Sequence, residues 1–133
     1  MKKECINPTT LFDSREYGFS QVVSVRPDRM LFISGQVAWD NDQKIVGKND
    51  LKKQAERSIE NLKIAIESSG GSLEDVVMLR IYIVNYQSSD GEIISDVLRS
   101  YFGTQSPPSS TWISVNGLAN EEFMIEIEAQ AVL

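Results

Sequence analysis

Two glutamates, Glu126 and Glu128, stand two residues apart in an otherwise apolar run near the end of this 133-residue chain. On a strand that spacing puts both carboxylates on one face. Such a pair can divide acid and base roles where a site brings both to one substrate. The plain alternative is a polar strand face in solvent or at an interface. The carboxylates matter because the chain has no histidine. Triads that use imidazole and the usual zinc sites are thereby excluded. Any proton transfer falls to carboxylates, tyrosines, lysines, held water or the substrate itself. Arg80 and Tyr82 share a strand face and offer either a cation and a phenol to a site or a solvated ion pair. Gly35 interrupts an apolar run, where glycine marks a bulge, a strand crossing or the close approach of a ligand. Trp39-Asp40-Asn41-Asp42 lacks the glycine and late glutamate of a calcium loop and reads as a plain loop.

The elements that must position these residues follow from periodicity. Residues 19–25 and 30–38 read as two strands joined by the turn Arg26-Pro27-Asp28-Arg29, hence a hairpin. Residues 50–68 repeat apolar positions at helical spacing (Leu51, Ala55, Ile59, Leu62, Ile66), with Asn49 as N-cap and Gly70-Gly71 as the stop. Residues 75–84 form a strand with Leu79, Ile81 and Ile83 on one face. A second helix spans about 90–102, opened by capping-box spacing at Ser89-Asp90-Gly91-Glu92. Residues 110–116 and 122–132 complete the set. In the last strand Phe123, Ile125, Ile127, Ala129 and Ala131 face one way, and Met124, Glu126, Glu128 and Gln130 the other. The order is ββαβαββ, an α+β layout with a mostly antiparallel sheet and both helices on one face. The uncovered face, with Met124, Val132 and part of the hairpin, is partly apolar and invites closed self-association.

The length fits one domain over residues 1–133. The N-terminus has basic residues without an apolar stretch behind them, so no secretory signal is expected, and no apolar run could span a membrane. A single cysteine, Cys5, allows no internal disulfide and suits a reducing, cytoplasmic setting. The formal charge of −6 argues against nucleic acid as partner. The lysines between 44 and 53 are interrupted by Asn49 and Asp50 and lead into a solvated helix.

Three segments, in order and spacing, resemble the RidA/YjgF family. They are Ile33-Ser34-Gly35-Gln36; Glu67-Ser68-Ser69-Gly70-Gly71 followed by Leu73-Glu74-Asp75-Val76-Val77; and Pro107-Pro108-Ser109-Ser110-Thr111 followed by Ile125-Glu126-Ile127-Glu128-Ala129. The resemblance covers nearly the whole chain. It implies a chorismate-mutase-like subunit in a homotrimer, with a small-molecule cleft at each interface and no metal or organic cofactor. In active members the cleft hydrolyses 2-enamines or 2-imines to 2-keto acids and ammonia. An arginine after the proline turn holds the carboxylate, a glutamate in the last strand positions water, and a tyrosine and an asparagine line the pocket.

Carried over residue by residue, Ser34, Gly35, Gln36 and Glu126 keep the family's identities. The arginine position falls on Ser110, followed by Thr111; the tyrosine falls on Phe19 and the asparagine on Ser95. The position two after the arginine, often small, is Trp112. Serine offers one neutral hydroxyl where arginine makes a bidentate, charge-assisted pair. Losing one partner of such a pair costs on the order of 2–5 kcal/mol. The resemblance therefore implies a small-metabolite-binding member whose 2-imino acid chemistry is lost or altered. The alternatives are a hydrolytic deaminase of a less anionic enamine or imine, and the family's older description as an endoribonuclease. Ser110 and Thr111 either present donors to a ligand or simply begin a strand. Phe19 and Trp112 are either cleft walls or core and interface residues.

Overall fold

The computed structural model describes residues 3–133. Eight main elements follow one another: β1 (Lys3–Ile6), β2 (Val22–Val25), β3 (Met30–Gln36), α1 (Leu51–Ser68), β4 (Val76–Val84), α2 (Ser88–Phe102), β5 (Ser109–Val115) and β6 (Ile125–Val132), with a 3-10 turn at Ser14–Tyr17. The main sheet has the order β3-β6-β4-β5, antiparallel except for the parallel pair β4 and β5. Between these two strands α2 provides the crossover that a parallel connection requires.

The apolar stripes meet as their periodicity demands. Ile59, Leu62 and Ile66 of α1 and Ile94 and Leu98 of α2 pack on Leu79, Ile81 and Ile83 of β4 and on Ile125 and Ile127 of β6. In β4 and β6 buried positions alternate with partly exposed ones, so Arg80, Tyr82, Glu126, Glu128 and Gln130 lie on the sheet face away from the helices. That face also carries Met30 and Phe32, the latter 72% exposed.

One strand pairing, two helix starts and one burial differ from the sequence expectation. Residues 19–25 and 30–38 do not form a hairpin with each other: β2 pairs with β1, and β3 pairs with β6. The polar and charged residues of β1 hid a strand that competes for β2. The N-cap of α1 is Asp50, not Asn49, because the Asp50 carboxylate reaches the Lys53 N–H at 3.0 Å. At α2 the carboxylate of Asp90 accepts from the Gln87 N–H at 2.8 Å, so the helix starts at Ser88. Val132 is in register with Met30, on the face expected for it, yet is fully buried.

Gly18 fixes how the segment before β2 sits on α2. Its φ is +92°, and a Cβ there would lie 2.7 Å from the Leu98 Cβ. Only glycine meets both the left-handed backbone and the close packing. Two further ties hold this segment beside β5: Ser20 N–H donates to the Pro108 carbonyl at 2.9 Å, and the Ser20 hydroxyl donates to the Pro107 carbonyl.

Candidate functional site

Those ties set the 12–19 segment against the first half of β5 and leave a cleft of about 570 Å³ between them. Four aromatic rings wall it: Phe12, Tyr17, Phe19 and Trp112. Neighbouring ring centroids are 6.0 Å apart for Phe12 and Tyr17, 6.3 Å for Phe12 and Phe19, and 6.4 Å for Phe19 and Trp112. Asp13, Glu16 and Ser110 complete the lining, and among the described residues no lysine or arginine is part of it. The Ser110 hydroxyl accepts from the Trp112 Nε1–H at 3.0 Å. The side chain at the arginine position is thus already engaged by the neighbouring indole. Trp112 also packs on the edge of the core, so it is both a core residue and a cleft wall.

The remaining sequence-nominated residues lie elsewhere. In β5, Ser110 and Trp112 are in register with Leu79 and Ile81, on the helix side of the sheet, whereas Thr111 is in register with Arg80 on the opposite side and is exposed. Glu126 is in register with Tyr82, again on the opposite side. Within one chain, then, Glu126 and Ser110 sit on opposite faces. Ser95 is buried in α2, its carbonyl near Gly18 and its hydroxyl without a hydrogen-bond partner, and it does not line the cleft.

Gly35 has a physical reason to be glycine. The ladder of β3 with β6 shifts register between Ile33 and Gln36, and a Cβ at Gly35 would meet the Glu126 Cδ at 2.7 Å. Of the alternatives the sequence left open, the bulge is present, and the group that approaches closely within the chain is the Glu126 side chain. Among the described residues no hydrogen bond or ion pair engages that carboxylate. Ser34 is exposed, and Gln36 donates through Nε2 to the Ser34 carbonyl at 3.1 Å.

Arg80 is committed to its own face. It lies 3.7 Å from the Glu128 carboxylate, which also accepts from the Tyr82 hydroxyl. That hydrogen bond to Glu128 holds the Tyr82 phenol above its usual pKa. Arg80 therefore does not reach Ser110 within the chain. Phe12, Asp13, Glu16 and Tyr17 escaped the sequence reading because they lie in a loop without periodicity. The Phe-Asp and Glu-Tyr pairs flanking Ser14 were the available signal.

Residues 14–133 match the endoribonuclease L-PSP family. The chain belongs to that family, the RidA/YjgF proteins. Its fold agrees throughout with the YyfB protein of Yersinia pestis, a conserved Rid-family protein described as of unknown function, at TM-score 0.96, 37% identity and 100% coverage of both chains. The chain is 34% identical to a RutC family protein of Pyrococcus abyssi, over 85% of this chain and 84% of the relative. It is 29% identical to a protein of Dermatophagoides farinae named 2-iminobutanoate/2-iminopropanoate deaminase, over 86% of this chain and 85% of that one. No helix of the described residues is long and apolar enough to cross a membrane.

Proposed function

We propose that this RidA/YjgF member is a cytoplasmic protein that binds a small metabolite in the cleft at Phe19, Ser110 and Trp112, and that efficient 2-imino acid deamination is lost from it. One observation carries the reading: among the described residues the cleft has no cation in its lining, and the hydroxyl at the arginine position accepts from Trp112. An acid substrate would find there neither a bidentate partner nor an opposite charge. With 2-iminopropionate as substrate, ammonia release is expected at the buffer rate. Turnover well above that rate, abolished by Glu126→Ala, would overturn the reading. It would favour instead a hydrolytic deaminase using the unpaired Glu126 carboxylate on a non-standard enamine or imine. The endoribonuclease reading is disfavoured by the −6 charge and by the Glu16 carboxylate at the cleft, which would repel phosphates.

The assembly we propose is a homotrimer, with the cleft at an interface between subunits. In support, Glu126 and Ser110 occupy opposite sheet faces of one chain, so both can serve one ligand only when two copies meet. The exposed Phe32 and Met30 mark the face through which copies would join. Light scattering is expected to give three times the 14.9 kDa subunit mass, falling towards one subunit in Phe32→Lys. A monomeric parent protein would refute the assembly.

A further inference from the structure

We propose that the cleft between the 12–19 segment and β5 takes a cationic ligand, an amine or quaternary ammonium group carried on an apolar body. The inference rests on the cleft being the ligand site, and it assigns that ligand the opposite charge to a 2-imino acid. The size is suitable: about 570 Å³ falls within the range of small-molecule sites, roughly 300–1,000 Å³. The rings run Tyr17, Phe12, Phe19, Trp112, with successive interplanar angles of 75°, 76° and 60°. Rings so tilted meet edge to face and not face to face, and all four line the cleft. Phe12 and Tyr17 are 60% and 48% exposed, and a cluster of exposed aromatics beside a cleft is the usual mark of a binding surface. Each ring face carries the negative end of its quadrupole and attracts an ammonium group within about 6 Å.

The fixed charges have the same sign. Asp13 is held by its neighbour Arg15 through Nε and Nη2 at 2.8 and 2.9 Å, which cancels most of its charge. Arg99, which donates to the Glu16 carbonyl, is paired with Asp96. Glu16 has no ion pair among the described residues, so its carboxylate is the uncompensated charge at the cleft. A cation entering there meets four aromatic rings and one free carboxylate. An anion meets the same groups as repulsion, against the single neutral hydroxyl of Ser110.

Three probes sharing a tert-butyl-like head separate charge from shape: choline, 3,3-dimethylbutan-1-ol and 3,3-dimethylbutanoate. Their affinities can be read from Trp112 fluorescence in a Trp39→Phe background, with titration calorimetry as an independent readout. Choline is expected to bind about 3- to 30-fold more tightly than the alcohol, and the butanoate most weakly. Glu16→Gln is expected to narrow the gap between choline and the alcohol while leaving alcohol binding unchanged. Equal or tighter binding of the alcohol or the butanoate overturns the inference. If that binding is weakened by Tyr17→Ala, the cleft stands as a ligand site and only the ligand's charge is wrong. If none of the three probes binds, the inference falls, and the reading of the cleft as a ligand site falls with it.

Discussion

Replacing Ser110 by arginine is expected to tighten the binding of pyruvate by about 30-fold, the lower end of what a buried charge-assisted pair supplies. The reason is geometric as well as electrostatic. Position 110 lines the cleft, so a guanidinium there gains the planar fork that grips a carboxylate with two parallel hydrogen bonds. Two features of this cleft hold the gain near the bottom of the range. The indole that now donates to the Ser110 hydroxyl would have to move, and Glu16 would compete with the ligand for the new cation. The double variants Ser110→Arg/Trp112→Ala and Ser110→Arg/Glu16→Gln should each therefore bind pyruvate more tightly than the single one. Titration calorimetry gives the three affinities directly. If pyruvate affinity does not change in any of them, the missing arginine is not what separates this cleft from an acid-binding one, and the proposed loss of function has another cause.

The fold was legible where periodicity speaks. Both helices, β4 and the alternation of β6 follow from apolar spacing alone, because each element buries one face against the others. What the spacing does not carry is partnership between strands. The turn at 26–29 suggested that the strands flanking it pair with each other, yet β1, four residues with little apolar signature, takes β2 instead. The site divides along the same line. Phe19, Ser110 and Trp112 were found by the resemblance and meet in one cleft, whereas Phe12, Asp13, Glu16 and Tyr17 lie on a loop whose shape depends on Gly18 packing against Leu98. That contact joins residues far apart in the chain, and no local pattern announces it. Gly35 is an intermediate case: the sequence left open a bulge, a strand crossing or the approach of a ligand, and the structure shows a bulge with the Glu126 side chain against it.

Gln54 is where the fold and the position of Glu126 are joined. It lies on the apolar side of α1, three residues after Leu51 and one turn before Ser58, and is completely buried. A buried amide is tolerable only when its groups are paired, and here they are. Nε2 donates to the carbonyls of Gly47 and Glu122 at 3.1 and 3.0 Å, and Oε1 accepts from the Met124 N–H at 2.8 Å. These bonds pin the chain as it enters β6, two residues before Glu126. Gln54→Met keeps nearly the same volume and removes one partner from each of three backbone groups, and a group left unsatisfied costs about 1–3 kcal/mol. Because the Gly47 carbonyl keeps the Asp50 N–H at 3.0 Å and the carbonyl of exposed Glu122 can turn to water, the Met124 N–H is the group left unpaired, and the expected loss is about 2 kcal/mol. It would be read as a lowered urea midpoint at unchanged slope. Hydrogen exchange at the Met124 amide should accelerate more than exchange in β4, because the opening is local to the entry of β6. A midpoint within about 1 kcal/mol of the parent protein, with Met124 still protected, would show that this amide does not hold β6 in place and that the position of Glu126 is set by the sheet alone.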